Sequence, residues 1–286
     1  MRRWGILAAA LCAVSFGAVR VPAAPDILVA AHRGGAAIAP ENTLAAFQNA
    51  AGLFGAHPAT FGWIEMDARL SADGAGVIVH DDTLDRTTDC TGRVADATAA
   101  ELALCNAAQA WPSWGFQKVP TMRDVFEEAR VAPNAWRIML EIKDIPIDAN
   151  FDATGRLALE VVGLVGETAF PHQNLIVQSF WPPFLDLVEV LDPQIRTMLL
   201  TTSTLPGAPE GIGFTLTQNI AYSTTHGYEI CAPDHMTPDL DEETVALAHS
   251  LNRSVITWTV NSTADRDRVL AAGVDGIITD DPNLMF

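Results

Sequence analysis

Two short runs place ionisable side chains at alternate positions. "IEMDARL" carries Glu65 and Asp67, and "MLEIKD" carries Glu141 and Lys143. In an extended chain, side chains alternate between faces. Glu65 and Asp67 then share one face with Met66 opposite, and Glu141 and Lys143 share one face with Leu140 and Ile142 opposite. The apolar partners read as the side packed on helices, so the charged set points the other way, into a shared interior. Charges there are costly unless paired. Three carboxylates converging with one lysine fit a hard divalent cation, Mg²⁺ or Ca²⁺, better than zinc, which prefers His and Cys. The chain has only two lysines, Lys118 and Lys143, among 17 basic residues. A lysine placed beside Glu141 on a strand is therefore not an incidental surface charge.

Two histidines stand at the ends of other apolar runs. "DILVAAHRGGAAIAPENT" delivers His32 and Arg33 from the run Ile27–Ala31, and "GVIVHDD" delivers His80 and Asp81. Gly34 and Gly35 let the backbone turn sharply after the first pair. Gln178 and Phe180 in "VQSF" and Trp258 in "ITWTVN" end further runs and are candidate pocket residues. His57, His172, His226, His235 and His249 lie in loop or helix contexts and read as ordinary. Trp111 and Trp114 in "AWPSWGF" read as core packing, with the mouth of the site as the alternative.

The elements that must hold these residues alternate. Strands are expected at Ile27–Ala31, Trp63–Leu70, Gly76–His80, Arg137–Lys143, Asn174–Phe180, Ile195–Leu200, Tyr228–Pro233, Ser254–Val260 and Gly276–Thr279. Helices are expected at Thr43–Leu53, Thr121–Arg130, Thr154–Glu167, Pro183–Leu191, Pro238–Leu251 and Ser262–Ala272. The stretch "TTSTLPGAPEGIGFTLTQN" after Leu200 supports neither reading. Between Leu70 and Val77 lies only "SADGAG", too short for a parallel crossover. That pair reads as an antiparallel hairpin turning at Asp73-Gly74. Eight parallel strands remain, the number that closes a single (β/α)8 TIM barrel with its chemistry at the C-terminal strand ends. A doubly wound open sheet is the alternative, but its glycine-rich nucleotide fingerprint is absent.

The pieces "HRGGAAIAPENTLAAF" (32–47), "IEMDARLSADGAGVIVHDDTLDRTT" (64–88), "LEIK" (140–143), "QSF" (178–180), "TWTVN" (257–261) and "GVDGIITDDP" (273–282) occur in this order. Together they resemble the glycerophosphodiester phosphodiesterases over nearly the whole chain. The resemblance implies a TIM barrel that hydrolyses glycerophosphodiesters to glycerol 3-phosphate and an alcohol. It implies His32 and His80 as an acid/base pair. Glu65, Asp67 and Glu141 become ligands of one divalent cation, and Arg33 and Lys143 become phosphate binders. Glu41 and Asn42 receive no role beyond ordering their loop. Two rivals remain: a phospholipase D-type relative acting on sphingomyelin or lysophospholipids, and an exported glycerophosphodiester-binding protein without turnover. An intact histidine pair argues against the second.

The N-terminus reads separately. Arg2 and Arg3, the apolar run Trp4–Val19 and the small residues of "VPAA" follow the order of a secretory signal peptide cut after Ala23. An uncleaved anchor is the alternative, although the run is short for a membrane span. The expected organisation is a leader over 1–23 and one catalytic domain over 24–286, exported to the periplasm or secreted. Cys90 and Cys105 then fit a local disulfide, with three free thiols as the alternative. The net charge of −18 deepens by three when Arg2, Arg3 and Arg20 leave with the leader. Such a surface disfavours nucleic acid and anionic membranes. The expected partner is a small glycerophosphodiester, with no stable membrane insertion of the mature chain; the oligomeric state is left open.

Overall fold

The computed structural model of the chain describes residues 27–57, 61–132, 136–148, 151–202 and 212–286. The expected leader over 1–23 lies outside them, as does part of the stretch after Leu200. In chain order the strands are β1 (Leu28–Ala31), β2 (Phe61–Leu70), β3 (Gly76–Ile78), β4 (Ile138–Ile142), β5 (Leu175–Ser179), β6 (Arg196–Thr201), β7 (Ile230–Pro233), β8 (Ser254–Thr257) and β9 (Gly276–Thr279). The helices are α1 (Leu44–Ala56), α2 (Ala99–Leu102), α3 (Met122–Val131), α4 (Arg156–Thr168), α5 (Pro182–Leu191), α6 (Leu216–His226), α7 (Glu242–Ser250) and α8 (Thr263–Ala271).

The sheet runs β1-β9-β8-β7-β6-β5-β4-β2-β3, and β1 also pairs with β2. That last pairing closes a barrel of eight parallel strands. β3 pairs antiparallel with β2, through Ala68↔Ile78 and Leu70↔Gly76, as the short connection requires. The turn passes through Gly74 at φ 83°, where a side chain would be strained.

Alternation along the strands separates two cores. Leu28, Ala30, Trp63, Met139, Ile176, Met198, Ile230, Ile256 and Ile278 form one buried cluster that fills the barrel. Met66, Leu140 and Ile142 belong instead to the cluster that includes Phe47, Val125, Phe126, Val161 and Leu185 of the surrounding helices. Glu65 and Asp67 share parity with Trp63, and Glu141 shares parity with Met139. Their inward direction therefore follows from the same period that buries their neighbours.

Several details differ from the sequence expectations, among them the short helix α2 and the end of β8 at Thr257 rather than Val260. The unassigned stretch runs into the start of α6, which opens on a capping box between Thr215 and Gln218 and ends at Gly227 in the left-handed region. α7 begins at Glu242 rather than Pro238, because the Asp241 carboxylate accepts from Thr244 N and caps it there. Trp111 and Trp114 are only half-buried and neither lines the cleft at the barrel mouth, so they belong to neither expected setting. Cys90 and Cys105 are joined by a disulfide that closes the segment after β3, and Cys231 is a buried free thiol. Among the described residues no helix is long and apolar enough to cross a membrane.

Candidate active site

Register places the acids side by side. β2 and β4 pair so that Asp67 stands beside Glu141, and Glu141 in turn beside Gln178 of β5. Glu65, Asp67 and Glu141 are all buried, and one carboxylate oxygen from each lies within 4.8 Å of the others. Burial, then repulsion from Asp67 and Glu141, pushes the Glu65 carboxyl well above the usual carboxylate range. Burial also pushes Glu141 up to about 7, with Lys143 opposing and Asp67 adding to the rise. Asp67 is driven the other way. Burial favours its neutral form, but Lys143, His80, Arg33 and His32 together hold it below the usual range.

Fixed donors orient this trio. The Arg33 backbone N–H donates to Glu65 Oε2 at 2.8 Å, and Gln178 Nε2 donates to Glu65 Oε1 at 2.8 Å. Asn42 Nδ2 donates to Asp67 Oδ2 at 2.8 Å, and its Oδ1 accepts from the Asp67 N–H at 3.3 Å. Lys143 Nζ lies 3.1 Å from Glu141 Oε1 and 3.8 Å from Asp67 Oδ1. That Asp67 oxygen is buried and accepts no hydrogen bond. An all-oxygen set with a spare buried acceptor and mutually repelling carboxylates fits a hard divalent cation.

The two histidines flank the acids. His32 follows β1 directly, in a tight turn where Arg33 takes φ 54° and Gly34 φ 81°. A Cβ on Gly34 would lie 2.8 Å from the Phe47 ring, so the loop presses against α1. His32 Nδ1 is 2.6 Å from Asp280 Oδ1, at the end of β9, and Asp280 Oδ2 accepts from Asn261 Nδ2. His80 reaches the mouth because the hairpin continues past β3, with Val79 N–H donating to the Asp67 carbonyl. His80 Nδ1 is 2.7 Å from Asp81 Oδ1, and its Nε2 is 3.0 Å from Lys143 Nζ. These partners assign the tautomer: Nδ1–H donates to Asp81, and the Nε2 lone pair accepts from Lys143. Burial lowers the His80 pKa to about 4; Lys143 and Arg33 add to the fall, while Asp67 and Asp81 oppose it.

His32, Arg33, Glu65, His80, Glu141 and Lys143 line one cleft. Gln178, Phe180 and Trp258 line it too, the last two as an edge-to-face aromatic pair with centroids 5.4 Å apart. Of the catalytic, metal-ligand, phosphate-binding and pocket candidates, all but Asp67 line this cleft, and Asp67 is buried and paired to Lys143. The five other histidines lie elsewhere: His172 pairs with Asp192, His226 with Asp186 and His249 with Asp275, His57 bonds the Leu53 carbonyl, and His235 lies against Trp258.

The residues that hold the site residues are less legible in the sequence than the site residues themselves. Asp280 was legible only as part of "TDDP", and nothing in its spacing ties it to His32. Asp81 adjoins His80, which was a usable signal. Glu41 and Asn42 are legible only as ordering their loop and Arg86 not at all, because their partners are set by the barrel's closure.

The sequence profile of the glycerophosphoryl diester phosphodiesterase family matches residues 32–284. A glycerophosphodiester phosphodiesterase of Caldanaerobacter subterraneus is 31% identical over 260 residues, covering 91% of this chain and 96% of the relative. One of Bacillus subtilis is 30% identical over 271 residues, covering 91% and 86%. Among solved structures, an Oleispira antarctica phosphodiesterase in complex with the product sn-glycerol-3-phosphate superposes with a TM-score of 0.72 at 24% identity, covering 89% of this chain and 93% of that one. The last of these is a likeness of fold.

Proposed function

The chain belongs to the glycerophosphoryl diester phosphodiesterase family, and from that premise we propose how it hydrolyses glycerophosphodiesters to glycerol 3-phosphate and an alcohol. The observation that carries the reading is the histidine pair. Both rings line one cleft, each tied through Nδ1 to a carboxylate, with the buried acids beneath them.

His32 and His80 act as the acid/base pair. One accepts the proton of the attacking hydroxyl while the other delivers a proton to the leaving alkoxide, an assistance typically worth ~10²–10⁴-fold. Asp280 and Asp81 fix each ring's tautomer and stabilise it when charged. Arg33 and Lys143 bind the phosphoryl oxygens. Arg33 Nε is buried 3.5 Å from Asp67 Oδ2, so the guanidinium is anchored beside the acids. Lys143 Nζ, shared among Glu141, Asp67 and His80, releases the His80 lone pair as it turns to the anion. Glu65, Asp67 and Glu141 would hold one Mg²⁺ or Ca²⁺, which as a Lewis acid would offset phosphoryl charge and make a hydroxyl more acidic. Phe180 and Trp258 form the apolar wall against the substrate's carbon skeleton.

The attacking group is the glycerol 2-hydroxyl. It lies on the carbon next to the phosphoester, so attack is intramolecular, an advantage of up to ~7–11 kcal/mol in ideal cases. Attack forms the O2–P bond and expels the alcohol, leaving a cyclic glycerol phosphate. Water then opens the ring, with the two histidines exchanging roles.

Export is part of the same proposal. The leader pattern of residues 1–23 ahead of a domain over 24–286 supports it, and so does the Cys90–Cys105 disulfide, because such bonds persist in oxidising compartments. Determining the N-terminus of protein recovered from the periplasm or medium tests this, with Ala24 expected first. Release of glycerol 3-phosphate from glycerophosphocholine, with and without divalent metal, tests the catalytic reading.

A further inference from the structure

Arg86 has no part in the chemistry above, yet its guanidinium touches both sides of the site. It spends donors on two carboxylates at once. Nη1 and Nη2 reach Glu41 Oε2 and Oε1 at 2.7 and 2.8 Å, and Nε and Nη2 reach Asp81 Oδ2 and Oδ1 at 2.6 and 3.0 Å. Both carboxylates are also engaged on their inner side. Glu41 Oε1 accepts from Arg33 Nη1 at 3.0 Å, and Asp81 Oδ1 accepts from His80 Nδ1 at 2.7 Å. A continuous chain of charge-assisted bonds therefore runs Arg33–Glu41–Arg86–Asp81–His80. It joins the loop after β1 to the end of the hairpin, two segments that lie outside the barrel's ladder.

We propose that Arg86 is a positioning residue that fixes the separation and orientation of Arg33 and His80. This rests on the roles given to those two residues above. The planar guanidinium grips two carboxylates bidentately, which a lysine ammonium cannot do. Burial opposes ionisation of both acids, and the bonds from Arg86 lead the effects that outweigh it, holding Asp81 at about 2 and Glu41 below the usual range. Without Arg86 the two carboxylates become neighbouring like charges, each left with only its inner partner. The hairpin end then loses its tie to the β1 loop, and the His80 ring and the Arg33 fork lose their common frame. Near-attack geometry is steep enough that a displacement of about 1 Å costs ~10²-fold.

The test compares wild type, Arg86→Gln and Arg86→Lys as full-length metal-loaded protein. Two readouts are used: kcat and KM on glycerophosphocholine, and backbone hydrogen exchange over residues 33–42 and 80–88. Both variants are expected to lose ~10-fold or more in kcat, with faster exchange in both segments and unchanged exchange in the strands β5 to β8. Lysine is expected to fail because it keeps the charge but not the fork. Wild-type kcat in Arg86→Gln, full rescue by lysine, or unaltered exchange in the two segments would each overturn the proposal. Altered exchange in the variants of a wild-type protein that does not turn over the diester would sink the catalytic reading and leave the clamp standing.

Discussion

His32 Nδ1 and Asp280 Oδ1 lie 2.6 Å apart, although 248 positions separate them in the chain. The contact exists because the first and last strands are neighbours in the closed barrel, with Ala31 in register with Thr279. Asp280→Asn replaces an acceptor-only carboxylate with an amide that can present either atom, so the ring loses its fixed tautomer. The expected loss in kcat is ~10–10²-fold, part of what acid–base assistance supplies. Steady-state kinetics at constant metal check it; an unchanged kcat removes Asp280 as the residue that orients His32.

The histidines themselves separate cleanly. His32→Ala and His80→Ala each lower kcat by ~10²-fold or more, with circular dichroism unchanged. His172→Ala and His249→Ala keep near-normal turnover, since their rings pair with Asp192 and Asp275 away from the cleft. Normal turnover in His80→Ala would show that the hairpin does not bring its histidine to the substrate.

Period-two alternation and the short β2–β3 connection made much of this legible from sequence. The parity of Glu65, Asp67 and Glu141 follows from Met66, Leu140 and Ile142 packing outward, and all nine expected strands form. What remained hidden depends on closure. Asp280 meets His32, and Arg86 meets Glu41, only once distant segments are brought together, and no local pattern encodes those pairings. α6 was missed for another reason. Its capping box was present in "TLTQ", but the preceding Gly- and Pro-rich run obscured where a helix begins.

Metal affinity depends on pH with a definite sign. Burial raises Glu141 to about 7 and Glu65 above the usual range, so below neutrality the site holds protons that a cation must displace. As pH rises through about 7 the Glu141 proton leaves, and affinity increases. The rise in Tm caused by saturating Mg²⁺ or Ca²⁺ is expected to be larger at pH 8 than at pH 5. Equal shifts at the two pH values would contradict a site built on these carboxylates.

Closing a loop across a sequence separation of 15 residues, the Cys90–Cys105 bond is expected to contribute about 3 kcal/mol on chain-entropy grounds. Denaturant unfolding with and without reductant measures it. An unchanged midpoint would mean that the segment after β3 is held by its packed side chains alone.

The 2-hydroxyl route is tested by a 2-deoxy analogue of glycerophosphocholine. The analogue keeps the phosphodiester and headgroup but lacks the internal nucleophile, so kcat collapses while binding persists. Comparable kcat for both substrates would replace the cyclic route with direct attack by water.

The central claim is that this barrel mouth, with a divalent cation on Glu65, Asp67 and Glu141, cuts glycerophosphodiesters on the alcohol side of phosphorus. Phosphorus NMR of glycerophosphocholine incubated with metal-stripped protein, before and after adding Mg²⁺ or Ca²⁺, tests it most directly. The predicted result is a stable diester signal without metal, and its conversion to glycerol 3-phosphate once metal is added. Equal conversion in the metal-stripped protein, or phosphocholine as the product, would contradict it.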